Sequence, residues 1–131
     1  MTVQRIKLQR KKNKKIYFTG DFHLGRPDRN SSLKREKKVI SWLNSINNNA
    51  QDVFLLGDIF DFWFEYDNVI PKDNLRFLST ISNMIEKGIN FHYFLGNHDL
   101  WIRSYFKDLG IKIYKEPQEF KIDNKIILIG H

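Results

Sequence analysis

Four short apolar runs each stop at a glycine, and each glycine introduces side chains able to bind a metal. Ile16-Tyr17-Phe18-Thr19 leads into Gly20-Asp21-Phe22-His23, and Val53-Phe54-Leu55-Leu56 into Gly57-Asp58. The run Phe91 to Leu95 leads into Gly96-Asn97-His98-Asp99, and Ile126-Ile127-Leu128-Ile129 into Gly130-His131. Carboxylates, imidazoles and an amide oxygen are hard or borderline ligands, and a histidine can also carry a proton. Asp21 and His23 are two residues apart, so extended backbone would put both on one side, where one ion could take both. One such strand end would mean little. Four in order point to one composite metal site at one edge of a sheet, since open α/β sheets collect ligands beyond their strand ends.

The elements that must position these groups read as an α/β pattern. Strands are expected at 16–19, 53–56 and 89–95, nearly continuous in apolar residues, as buried parallel strands are. A helix capped by Ser31 or Ser32 should run to about Ile46, with Leu33, Val39, Ile40, Leu43 and Ile46 as its apolar stripe and Trp42 packing on the sheet. A second helix should open at Pro71, carry Leu75, Leu78, Ile81 and Ile85, and stop at Gly88. A third spans 100–109. His92 lies inside a strand and reads as a sheet histidine rather than a ligand. A short strand at 111–114 precedes a hairpin, 120–122 and 126–129, turning at Asp123-Asn124-Lys125. The fold class is therefore α/β, mainly parallel, with a C-terminal β-hairpin, and residues 1–131 are expected to form a single domain.

The chain has 131 residues, enough for a real core, with 41% hydrophobic and 15% aromatic residues. It has no cysteine, which excludes disulfides, thiolate metal sites and cysteine nucleophiles. A net charge of +7, from 22 basic and 15 acidic residues, favours anionic partners, although a Lys-, Asn- and Ile-rich composition accounts for it equally well. No apolar run reaches the roughly 20 residues of a membrane-spanning helix, and the first eight residues lack a secretory core, so a cytoplasmic location is expected. The basic stretch from Arg5 to Lys15 could attract the anionic inner membrane surface, but without aromatic anchors it reads as a solvated, frayed start. Phe60, Phe62, Trp63, Phe64 and Tyr66 follow Asp58 closely. They form either a core under a loop or an apolar wall for acyl chains or a sugar.

The ordered set Asp-x-His, Gly-Asp, Gly-Asn-His-Asp and Gly-His resembles the calcineurin-like metallophosphoesterases. Gly20 to Gly25, Leu55 to Tyr66 and Gly96 to Trp101 narrow the resemblance to the UDP-2,3-diacylglucosamine hydrolases of lipid A synthesis in Bacteroidetes-like bacteria. The resemblance runs from about Lys15 to His131 and implies the N-terminal half of a four-layer α/β sandwich. It implies two divalent ions, most readily Mn2+. Asp21 and His23 would serve the first ion, Asn97 and His131 the second, and Asp58 would bridge them. Two such ions can activate a water and clamp a phosphoryl group. His98 would contact a phosphoryl oxygen or protonate the leaving group, and Asp99 would orient His98 or cap the next helix. Arg26, Phe62 and Trp63 are candidate substrate contacts, although a solvated loop is the simpler reading of Arg26.

The implied reaction splits UDP-2,3-diacylglucosamine into UMP and 2,3-diacylglucosamine 1-phosphate, with a UDP-linked lipid as substrate. A later Gly-His-x-His of the family has no counterpart up to His131, so the 131-residue chain alone is expected to bind Mn2+ weakly and turn over poorly. The alternatives are another phosphodiesterase, phosphatase or nuclease, or an inactive remnant. The aromatic block argues against nucleic acid as substrate.

Overall fold

The computed structural model describes residues 5–24, 29–59, 75–96 and 105–130. In chain order the elements are β1 (Arg5–Leu8), β2 (Lys15–Thr19), α1 (Arg29–Ile46), β3 (Ala50–Leu55), α2 (Leu75–Glu86), β4 (Asn90–Phe94), α3 (Tyr105–Asp108), β5 (Lys112–Tyr114), β6 (Gln118–Ile122) and β7 (Lys125–Ile129). Strands β2, β3, β4 and β5 pair in that order, all parallel; the apolar runs predict this for β2, β3 and β4, and β5 joins them as a fourth parallel strand beside β4. Strand β3 is buried at all six positions. Val53 and Leu55 join the core formed with α1 and α2, while Phe54 joins a second core facing the other sheet. That division follows from the two-residue side-chain period of a strand.

The second sheet has the order β1-β6-β7, with β1 parallel and β7 antiparallel to β6. The hairpin is present as expected. Asp123 and Asn124 take φ of 49° and 65°, the paired left-handed conformation that suits a two-residue turn to the twist of its strands. The expected frayed N-terminus is corrected: Arg5–Leu8 is a strand in register with Glu119–Ile122. Ile6 and Leu8 pack against the second core, and Arg5 and Lys7 alternate with them toward solvent. Arg5 donates to Glu119 at 3.3 Å and Arg10 to Asp123 at 2.6 Å, which fasten the segment further.

Both long helices bury most of the expected stripe, Val39, Leu43 and Ile46 in α1 and Leu78 and Ile81 in α2, but not all of it. In α1 the buried positions are Ser32, Glu36, Val39, Leu43 and Ile46, so a serine and a glutamate stand where Leu33 was expected. In α2 they are Phe77, Leu78, Ile81 and Met84, and Leu75 is 43% exposed. Trp42 packs against the first core and meets Tyr17 edge-on at 5.9 Å. Gly88 and Gly110 follow α2 and α3 with φ of 98° and 96°, the left-handed stop that glycine allows. The start of the second helix and the first half of the third fall outside the described residues.

His92 is fully buried between the two sheets, where the sequence reading put it. Its Nε2 lies 2.7 Å from Asp52 Oδ2 and its Nδ1 2.9 Å from the Tyr114 hydroxyl. Phe54 stacks on the ring at 4.3 Å. This polar chain crosses β3, β4 and β5 inside an apolar layer. Burial, and then the Asp52 carboxylate, raise the Tyr114 phenol above its ordinary pKa. On β7, Ile126 and Leu128 point away from the second core and are 55% and 68% exposed.

Candidate metal centre

Asp21 and His23 follow β2, Asp58 follows β3, and Gly96 follows β4, all at the C-terminal edge of the parallel sheet. The first two loops are stitched together by backbone. The Asp21 amide donates to Gly57 O at 3.1 Å, the His23 amide to Asp58 O at 3.0 Å, and the Leu24 amide to Ile59 O at 2.9 Å. Phe22 and Leu24 anchor the first loop in the core, with Phe22 edge-on to Phe77 at 6.4 Å. Alternating with these anchors, Asp21 and His23 come together with Asp58.

One ligand atom from each of Asp21, His23 and Asp58 lies within 4.8 Å of the others. His23 Nε2 and Asp21 Oδ1 are 2.9 Å apart. The reason for this convergence differs from the one read in the sequence. The backbone is not extended there: φ is 64° at Asp21, 47° at His23 and 50° at Asp58. Non-glycine residues held in the left-handed region cost energy that the surrounding structure must offset, and such positions cluster at functional sites. Asp58 is buried, whereas the Asp21 side chain is 74% exposed, so the group opens to solvent on the Asp21 side.

Two features went unread in the sequence. A Cβ on Gly96 would collide with the amide and carboxylate of Asp58, so glycine there is what lets the backbone after β4 come up against Asp58. Arg35, from α1, donates to the His23 carbonyl at 3.0 Å and holds the His23 backbone. A glycine after an apolar run hints at the first, but nothing in a basic helix face marks out Arg35.

The donor set fits a divalent cation. Two carboxylates and an imidazole are hard and borderline ligands, and bonds of roughly 2–2.5 Å from one ion would reach all three. Two carboxylates this close repel each other unless a cation lies between them. Asn97, His98, Asp99 and His131, and the substrate candidates Arg26, Phe62 and Trp63, lie outside the described residues.

The calcineurin-like phosphoesterase family profile matches residues 14–129. The UDP-2,3-diacylglucosamine hydrolase of Porphyromonas gingivalis is 35% identical over 118 residues, covering 89% of this chain and 45% of that protein. The protein of the same name from Actinobacillus succinogenes is 27% identical over 119 residues, with 89% and 48% covered. The chain thus spans about half the length of the curated relatives it matches. Among solved structures, the nuclease MPE of Pseudomonas putida superposes with a TM-score of 0.55 over 76% of this chain and 47% of its own, at 18% identity, a likeness of fold. A profile match over nearly the whole chain, on strands that end in a carboxylate–histidine group, makes this chain a member of the calcineurin-like phosphoesterase family.

Proposed function

We propose that this chain carries the first metal-binding portion of a hydrolase that cleaves the pyrophosphate of UDP-2,3-diacylglucosamine, releasing UMP and 2,3-diacylglucosamine 1-phosphate. The observation that carries the reading is the convergence of Asp21, His23 and Asp58 at the ligand-collecting edge of the sheet. The similarity to proteins named for that substrate supports its identity. In this reading Asp21 and His23 hold one ion, Asn97 and His131 hold a second, and the Asp58 carboxylate is shared. Divalent ions, taken to be Mn2+, would supply charge neutralisation and water activation for attack on phosphorus. His98 then hydrogen-bonds a phosphoryl oxygen or returns a proton to the leaving group, with Asp99 orienting it or capping the next helix. Arg26 meets phosphate, and Phe62 and Trp63 line the path of the acyl chains or sugar.

The residues before β2 and the net positive charge suit contact with an anionic inner-membrane surface from the cytoplasmic side. No helix among the described residues is long and apolar enough to cross a membrane.

The test has two parts. Metal quantification on purified variants should show Asp58→Ala emptied of Mn2+ and His92→Ala still loaded; equal losses would sink the ligand assignment. UMP release from the lipid substrate should be weak or absent for the 131-residue chain. It should be robust for a chain extended through a downstream Gly-His-x-His, and lost there on His98→Ala. Full turnover by the 131-residue chain would show that no further ligands are needed.

A further inference from the structure

At the opposite edge of the parallel sheet, the loops that lead into β2, β3 and β4 enclose a cavity of about 180 Å³. Its lining includes Lys11, Lys14, Asn47, Gln51, Lys87 and Gly88, and no acidic residue among the described residues. The loops are held in place by backbone and amide contacts. The Lys14 amide donates to Lys11 O at 3.1 Å, across a turn with Asn13 at φ 63°. The Gln51 side chain accepts from the Lys11 amide at 2.7 Å and donates to Gln9 O at 2.9 Å. The Lys15 amide donates to Asn49 O at 2.8 Å. Gly88, at φ 98°, leaves open space where a side chain would stand.

Three lysines therefore line one hollow. Lys14 Nζ donates to the Asn48 carbonyl at 3.1 Å, while Lys11 and Lys87 have no ion-pair partner among the described residues. Lys14 and Lys87 stand beyond the C-terminal ends of α1 and α2, where a cation is favourable in its own right. That role needs neither Lys11 nor a cavity. Like charges gathered without counter-charge around a concave site are an anion trap, since a multiply charged oxyanion relieves their repulsion and accepts several charge-assisted hydrogen bonds. The volume is several times the ~30 Å³ of one water, room for one or two phosphoryl groups.

We propose that Lys11, Lys14 and Lys87 bind a phosphate-bearing anion, at a site separate from the Asp21–His23–Asp58 group and independent of the reaction assigned to it. The anion is either a soluble phosphate ester or the headgroup of an acidic lipid.

The experiment titrates sodium pyrophosphate into the metal-free 131-residue chain and follows backbone amides by NMR. Expected are saturable shifts at Lys11, Lys14 and Gly88. Apparent affinity should be about tenfold or more weaker in Lys11→Gln/Lys87→Gln and retained in Lys11→Arg/Lys87→Arg. Unchanged melting temperatures for both pairs separate lost binding from lost structure. Co-sedimentation with phosphatidylglycerol vesicles, against phosphatidylcholine vesicles, then identifies the source. Capture lost in the Gln pair alone assigns a lipid headgroup, and capture absent or indifferent to the substitutions assigns a soluble anion. The proposal is overturned if the three amides do not shift, if the Gln pair binds like the parent, or if shifts are confined to residues 20–24 and 57–59.

Discussion

Side-chain clearance decides how well the metal group is held. Gly96 is a strand-end glycine in the sequence, and in the structure it is the residue against which Asp58 rests. Gly96→Ala should push the Asp58 carboxylate aside and weaken Mn2+ affinity by roughly the 10–100-fold typical of lost support around a ligand. Calorimetric titration decides this, and an unchanged affinity would mean that the third loop yields without disturbing Asp58. Tyr114 gives a second test. Its phenol is raised above the ordinary value near 10, so the folded state keeps the proton while the unfolded chain gives it up. The stabilisation is therefore complete below about pH 10 and fades as pH climbs from there through the raised folded value. Tyr114→Phe should cost about 1 kcal/mol at pH 7, the value of a typical hydrogen bond, and a shrinking amount above pH 10. Urea midpoints for both proteins at pH 7 and 10.5 measure it, and a difference constant with pH would refute the buried-phenol account. At this scale the sequence displayed that Asp21, His23 and Asp58 converge but not how. Asp21 and His23 meet through left-handed backbone and not through strand alternation. Contacts such as Arg35 to the His23 carbonyl depend on tertiary placement that no local pattern encodes.

Among the elements, the parallel strands were legible because burial on both faces favours apolar runs such as Val53–Leu56, although β3 itself begins earlier and buries Gln51 and Asp52 as well. Strand β1 was hidden for a converse reason. Its apolar residues, Ile6 and Leu8, occupy alternate positions of a segment dominated by lysine and arginine, so charge obscured the two-residue period. The same alternation yields a test. Leu8→Asp should lose on the order of 1–2 kcal/mol of local stability and speed amide exchange in β6, while Lys7→Asp should change stability by less than about 0.5 kcal/mol. Hydrogen exchange of Glu119–Ile122 distinguishes the two, and identical behaviour would return the segment to a frayed tail. The helix stripes were read correctly at Val39, Leu43, Ile46, Leu78 and Ile81 and missed at their N-terminal ends, where Ser32 and Glu36 are buried in α1 and Leu75 is exposed in α2. Polar burial of that kind is a tertiary decision that a hydrophobic pattern cannot announce.

On the scale of the molecule, two sheets share one apolar layer, and the second sheet ends in an apolar edge. Ile126 and Leu128 stand exposed on β7, whose far side pairs with no strand among the described residues. Exposed apolar edges recruit other chains. Leu128→Lys should lower light scattering at high concentration while shifting stability by less than about 0.5 kcal/mol, since the side chain is 68% exposed. Scattering that is unchanged would place self-association elsewhere. The pairing of β1 with β6 also sets a timetable for synthesis. Arg5 meets Glu119 across a separation of 114 residues. At ribosomal rates of roughly 5–20 residues per second, β1 must wait about 6–23 s before its partner has even been made. During that interval β2, β3 and β4 can already assemble, with the Asp21 and Asp58 loops among them. The nascent chain would thus have Asp21 and Asp58 within reach of each other while β1 still waits for β6.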